Sequence, residues 1–218
     1  MHAMPHVVKV DVWSDIACPF CYIGKRKFEA AVAASPVPIE LVYHSYELAP
    51  DTPDVVAATH AAHLAHKMGV SEQQAISMEE RTIAAASQVG LAIDYDILKQ
   101  SNTRKAHQLL HFARQHGLQS AMKERLMIAY FSEGRSMASL DDLADLAAEV
   151  GLDRAAVALS LATDEFQASV DADKAQAAAY GIWGVPFFVF DGTFAVSGAQ
   201  ESDVFAGVLA QASAAAGG

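Results

Sequence analysis

Both cysteines of this 218-residue chain, Cys18 and Cys21, sit in the segment ACPFCYIG. Two thiols separated by two residues can cycle between dithiol and disulfide, whereas two cysteines alone cannot complete a four-ligand structural zinc site. Alternating Val8, Val10 and Val12 lead toward the pair, and Pro19 suits a first helical turn, where a missing N–H costs nothing. Cys18 is therefore expected at a strand-to-helix junction. The unpaired N–H groups and positive dipole end of that helix favour a thiolate, so the Cys18 pKa is expected below the free value of ~8.5. Cys18 is the expected nucleophile, and Cys21, one turn on, is placed to resolve a mixed disulfide formed on it.

A second cluster is GIWGVPFFVFDG, in which Val185-Pro186 runs directly into an apolar strand. X-Pro is where cis peptides occur, and a cis Pro186 would open the backbone of Val185 to an extended substrate; the plainer reading is a strand-start proline. Asp15, three residues before Cys18, suits either proton relay or a turn, and its charge would raise the cysteine pKa. Trp13, Phe20, Trp183, Phe187 and Phe188 are candidates for an apolar rim, with core packing the alternative for many of them. His60, His63 and His66 recur every three residues, and His107 and His111 lie four apart. No H-E-x-x-H arrangement accompanies them, so no metal site is expected.

These residues need elements to hold them. After the valine strand, a helix from Cys18 to about Ala34 ends at Ser35-Pro36, and Ile39, Leu41 and Tyr43 alternate in a second strand. From residue 51 to 163 the strand pattern gives way to alanine-rich helical punctuation, read as about five helices. Ser71 with Gln74 has capping-box spacing, Asn102 can cap a helix running to Gly117, and Ser139 opens another that Gly151 stops. A helix from Thr163 to Tyr180 follows, then strands Phe187 to Phe190 and Thr193 to Val196 across a two-residue Asp191-Gly192 turn, and a helix opened by Ser202. The expected organisation is an α/β layer, residues 6–50 with 164–218, interrupted by an all-helical insertion, residues 51–163.

Composition narrows the function. With 52% hydrophobic residues the chain can bury a substantial core, and with 15 basic against 26 acidic residues, a net charge of -11, it carries no stripe for tracking phosphates. Nucleic acid is not an expected partner. The start MHAMPHVVKVDVW lacks the regions of an export signal, and Gly184 and Pro186 interrupt the most apolar run, so a cytoplasmic protein without membrane association is expected. In that compartment a close cysteine pair points to redox chemistry or metal binding rather than to a structural disulfide.

The segments VDVWSDIACPFCYIGKRKFE, YELAP, NTRKAHQLLHFARQHG, AYFSEGRSM, LAAEVGLD and GVPFFVFDGTFAVSGAQ occur in that order over nearly the whole chain. The series resembles the DsbA-like thioredoxin-fold oxidoreductases, and within them the cytoplasmic FrnE-type branch. The resemblance implies an α/β thioredoxin-like fold with an inserted all-helical domain, Cys18 as nucleophile, Cys21 as resolving thiol and Pro186 as the cis-proline beside them. It further implies that Asn102 and His107 of the NTRKAH segment line the cleft. Phe20 stands where the periplasmic oxidants of the wider family carry histidine, so a less acidic Cys18 and a less oxidising pair are expected.

The expected activity is that of a thiol-disulfide oxidoreductase of the protein disulfide reductase or isomerase type. Cys18 and Cys21 would carry the chemistry, with Pro19, Phe20, Trp183, Val185, Pro186, Asn102 and His107 contacting substrate. A disulfide-containing protein or a small thiol is the expected partner; no cofactor is expected to bind tightly, and glutathione is a candidate redox partner or cosubstrate. One alternative is a glutathione-dependent isomerase or transferase of a small aromatic compound, of the 2-hydroxychromene-2-carboxylate isomerase or kappa-class transferase type. Those enzymes share the helical insertion but generally place serine at the position of Cys18. The other alternative is a noncatalytic polypeptide-binding chaperone. Monomer and homodimer both remain open.

Overall fold

The computed structural model describes residues 6–216. The first five residues of the stretch read for an export signal, and positions 217–218 at the end of the α/β segment, lie outside the described residues. The chain divides into two compact units, 1–48 with 171–218, and 49–170.

The first unit is built on a four-stranded mixed sheet of order β2-β1-β3-β4, with β1 Val8–Ser14, β2 Ile39–Ser45, β3 Phe187–Phe190 and β4 Phe194–Ser197. β1 and β2 are parallel, and α1 (Pro19–Ala33) makes the crossover that parallel neighbours require. Alternation sorts β1 between two faces. Val8, Val10 and Val12 pack with Phe28 of α1, Phe188 and Phe190 of β3, and Phe205 and Leu209 of α9 (Ser202–Ala215). Phe28, Phe188 and Phe205 meet edge-on or tilted with ring centroids 4.7–5.6 Å apart, the geometry aromatic quadrupoles favour. Trp13, on the opposite face, packs with Val189, Ile182 and Ala177 at the end of α8 (Gln167–Ala179).

β3 pairs antiparallel with β1, Trp13 opposite Phe187. The start of β3 therefore lies beside the end of β1, and the loops carrying Cys18 and Pro186 emerge at one end of the two central strands. The Asp191-Gly192 turn has both central residues at positive φ, 48° and 66°, and Thr193 N–H donates to Phe190 O. Strand pairing resumes only at Phe194, opposite Phe190, so β4 begins one residue later than a strand starting at Thr193 straight after a two-residue turn.

The second unit contains six helices among the described residues, one more than the punctuation indicates: α2 His60–Met68, α3 Glu72–Ser87, α4 Arg104–Gln115, α5 Gln119–Ser132, α6 Leu140–Glu149 and α7 Arg154–Ala162. Ser71 and Gln74 form the expected capping box, and Ser139 Oγ accepts from Asp142 N–H. Thr103, not Asn102, is the residue at the α4 N-cap position. Asn102 Oδ1 still accepts from Arg104 N–H at 2.8 Å, so it serves an orphan donor of the first turn from one position further out. Among the described residues no helix is long and apolar enough to cross a membrane.

Candidate active site

Cys18 is the N-cap residue of α1, with extended backbone (φ -94°, ψ 112°), and Pro19 opens the first turn. Cys18 O accepts from Cys21 N–H at 3.0 Å and from Tyr22 N–H at 3.3 Å, which folds Cys21 back beneath it. Both cysteines are free thiols. Cys18 keeps 5% of its surface exposed and Cys21 2%, so Cys18 is the more accessible residue of the pair. From the β3 side, the Val185-Pro186 peptide is cis, and Cys18 Sγ donates to Val185 O at 3.8 Å. Pro186 O accepts from Gly198 N–H at 2.8 Å, tying the proline loop to the segment after β4.

The Cys18 thiol is pushed well above its ordinary value. The hydrogen bond with the Cys21 side chain contributes most, followed by burial and the Cys21 charge, with Asp15 adding in the same direction; the Cys21 backbone N–H pulls it back down. The expectation of a depressed Cys18 pKa is thus reversed for the last proton of the reduced pair. The helix end still favours an anion, but two buried sulfurs in contact resist carrying two negative charges. Phe20, 49% exposed on the outer side of α1, offers no positive charge to oppose this. Asp15 is buried, and its carboxylate accepts from Leu48 N–H at 2.9 Å and Ala17 N–H at 3.4 Å. It holds the turn between β1 and α1 while adding unfavourable charge near the thiols.

Of the sequence-derived site residues, Cys18, Pro19, Phe20, Cys21, Val185 and Pro186 converge at this end of the central strands, and Trp183 lies in the same loop with 88% of its surface exposed. Trp13 and Phe188 are buried at 1% exposure and belong to the core, not to a rim. Alternation along β1 and β3 turns both toward packed faces. Asn102 and His107 belong to the helical unit. The Asn102 amide nitrogen donates to Pro50 O and Thr52 O, and His107 is fully buried in α4.

One residue of the site has no counterpart among those read from the sequence. A Cβ at Gly24, in the second turn of α1, would stand 2.9 Å from Pro186 Cγ and 3.4 Å from Ala199 Cα. Its absence is what lets α1 lie against the proline loop. The available signal was a glycine inside a helix, where it costs ~1 kcal/mol relative to alanine without a compensating role.

Residues 9–210 match the DSBA-like thioredoxin domain. The structure is similar to that of a probable DsbA oxidoreductase, SCO1869, from Streptomyces coelicolor, with a TM-score of 0.87 and 37% identity over 94% of this chain and 89% of that one. It also resembles the cytosolic disulfide reductase DsbM from Pseudomonas aeruginosa, solved with GSH, with a TM-score of 0.65 and 18% identity over 93% and 98% of the two chains. In sequence it is 28% identical over 200 residues to YwbO of Bacillus subtilis strain 168, covering 91% of this chain and 94% of that protein. A pair of free thiols at the start of a helix, faced by a cis-proline loop on a thioredoxin-like sheet that a helical insertion interrupts, agrees with that match over residues 9–210: the chain belongs to the DSBA-like thioredoxin domain family.

Proposed function

We propose that this protein is a cytoplasmic thiol-disulfide oxidoreductase of the FrnE-type branch that works in the reducing or isomerising direction on disulfides of polypeptides or small thiols. The observation that carries the reading is the buried Cys18–Cys21 dithiol at the start of α1, faced by the cis Val185-Pro186 peptide and without a countercharge from the exposed Phe20. A couple is strongly oxidising when its reduced form is stabilised, chiefly by a low-pKa thiolate. Here burial and Asp15 act the other way, and Phe20 supplies no countercharge.

In the proposed cycle the pair gives up one proton and Sγ of Cys18, the more exposed residue of the two, attacks one sulfur of the substrate disulfide. The other substrate sulfur leaves as a thiolate and takes up a proton. Val185 O, released from Cys18 Sγ, is open to an N–H of the substrate backbone, and Phe20 and Trp183 offer apolar surface to its side chains. Cys21 then attacks Cys18 Sγ, expelling the second substrate thiol and leaving the Cys18–Cys21 disulfide; substrate is reduced and the pair oxidised by two electrons. Rearrangement of the mixed disulfide before that step gives isomerisation. Glutathione is proposed as the reductant that restores the dithiol, a choice suggested by the structure of DsbM, a protein of the same fold, with GSH.

The test is equilibration in glutathione redox buffers, read by alkylation and mass. The expected result is one two-electron transition toward the reducing end of the range from about -120 to about -270 mV. Cys18→Ser should abolish exchange, and Cys21→Ser should accumulate a mixed disulfide. Absence of any internal disulfide, with glutathione-dependent conversion of an aromatic substrate surviving Cys21→Ser, would overturn the redox assignment in favour of the isomerase or transferase alternative.

A further inference from the structure

On the face of the sheet that holds Trp13, His44 of β2 stands between two carboxylates. Its Nε2 lies 2.7 Å from Asp11 Oδ1 of β1 and its Nδ1 2.7 Å from Asp173 Oδ1 of α8, and the three side chains keep only 10–13% of their surface exposed. Ionised carboxylates only accept, so each ring nitrogen needs a hydrogen, and only the imidazolium carries both. Beyond the two acids, the elements packed on the ring carry Lys9, whose Nζ lies 3.1 Å from Asp11 Oδ2, and Lys174, paired with Glu47. Trp13 stacks nearly parallel on the imidazole, centroids 4.5 Å apart, and donates from Nε1 to Asp173 O, while Ser45 N–H donates to Asp173 Oδ2. Each oxygen of Asp173 thus takes a hydrogen from the β1–β2 side.

This clamp is continuous with the loop that faces the thiols. Trp13 stands opposite Phe187 in the β1–β3 pairing, and Val185 and Phe187 pack on the cluster that Trp13 makes with Ala177, Ile182 and Val189. Ile182 N–H donates to Ala177 O at 2.9 Å, which fixes the start of the loop to the end of α8. Val185 O, the acceptor facing Cys18 Sγ, is therefore carried by a segment that rests on the Trp13 cluster. Loss of the second ring hydrogen of His44 leaves one largely buried carboxylate without its donor on the ring, and the two acids then repel across a neutral imidazole. Any retreat of Asp173 takes with it the acceptor of the Trp13 indole.

We infer that His44 is a positioning residue of the substrate-binding loop: its imidazolium, held between Asp11 and Asp173, keeps Trp13 in the place against which the Val185 segment packs, so that Val185 O meets a backbone N–H of a polypeptide substrate. The inference rests on the thiol-disulfide reading of the same site. Burial lowers the His44 pKa, but the hydrogen bonds and charges of Asp173 and Asp11 outweigh it, so engagement of a polypeptide is strong below about pH 6.5 and weakens as pH rises through the higher folded value. The test compares two substrates of the full chain from about pH 6 to about pH 9: a disulfide-bridged peptide, which presents backbone N–H groups, and 2-hydroxyethyl disulfide, which has none. The ratio of their second-order rate constants cancels the ionisation of Cys18. In the wild type that ratio is expected to fall at least ~5-fold with rising pH, the worth of one hydrogen bond. His44→Gln, with donors on one atom only, should give the low ratio at every pH, and His44→Lys, a cation throughout, the high one. A wild-type ratio independent of pH, a His44→Gln ratio that follows the wild-type course, or a His44→Lys ratio as low as that of His44→Gln overturns the inference and leaves the thiol chemistry standing. Absence of exchange with both disulfides overturns the thiol-disulfide reading and the inference with it. If the His44 variants fail to fold by circular dichroism, Asp11→Asn decides: with one acid removed the fall should move to lower pH, and an unmoved midpoint overturns the inference.

Discussion

Gly24 sits in a helix whose neighbours Ala30, Ala31 and Ala33 are far better helix formers, and its presence is explained by the Pro186 ring 2.9 Å from where its Cβ would be. Gly24→Ala would gain ~1 kcal/mol of helix propensity in open space. Against Pro186 and the Ala199 backbone, overpacking costs ~1–3 kcal/mol, so a net loss of stability is expected, measurable as a lower urea midpoint with unchanged m. A variant more stable than wild type would show that the proline loop yields freely. At the thiols, Cys21→Ser removes the charge and the thiol contact that raise Cys18, so the Cys18 pKa should fall and its alkylation at neutral pH should accelerate. An unchanged rate–pH profile would mean burial alone sets the Cys18 value. The two cysteines and Pro186 were legible as residue types in a telling spacing. Gly24 was not, because its role depends on a partner 162 positions away in the chain.

On the second face of the sheet, Asp11, Trp13 and His44 are brought together by the β1–β2 register, Trp13 opposite His44. His44 Nε2 lies 2.7 Å from Asp11 Oδ1 and Nδ1 2.7 Å from Asp173 Oδ1 of α8, while Asp173 Oδ2 accepts from Ser45 N–H. Trp13 stacks on the imidazole, centroids 4.5 Å apart, and donates from Nε1 to Asp173 O. Burial lowers the His44 pKa, but the hydrogen bonds and charges of Asp173 and Asp11 outweigh it and raise the value above 6.5. Only the imidazolium has an N–H for each carboxylate. Because the folded value is the higher one, this stabilisation is fully present below about pH 6.5 and is lost as pH rises through the folded value. The difference in unfolding free energy between wild type and His44→Gln should therefore shrink as pH rises above about 6.5, read from urea melts at a series of pH values. A constant difference would sink the assignment of His44 as a cationic clamp. Period-2 alternation was enough to locate β1 and β2, the apolar run between Pro186 and the Asp191-Gly192 turn enough for β3, and local spacing enough for the Ser71 and Ser139 caps. The His44 cluster escaped that reading because Asp173 is 129 residues from His44, and the late start of β4 depends on the turn conformation at Asp191 and Gly192.

Across the whole molecule, the two units differ in how the chain supplies them. The helical unit is one continuous stretch, 49–170, with its own buried residues, among them Leu109, Leu126, Met127, Leu143, Leu146 and Val157 at 0–1% exposure. Expressed alone, that stretch is expected to melt cooperatively with a helical circular dichroism spectrum; a broad, non-cooperative melt would show that its core needs the rest of the chain. The α/β unit, by contrast, is assembled from both ends. Trp13 pairs with Phe187, and no strand of the described chain occupies that edge of β1 until β3 has been made. At about 5–20 residues per second, translation places roughly 10–35 s between the two partners. Throughout that interval Cys18 and Cys21 exist on a nascent chain without the Val185-Pro186 loop beside them. The newborn protein thus carries an unshielded dithiol past every electrophile near the ribosome until β3 brings that loop alongside.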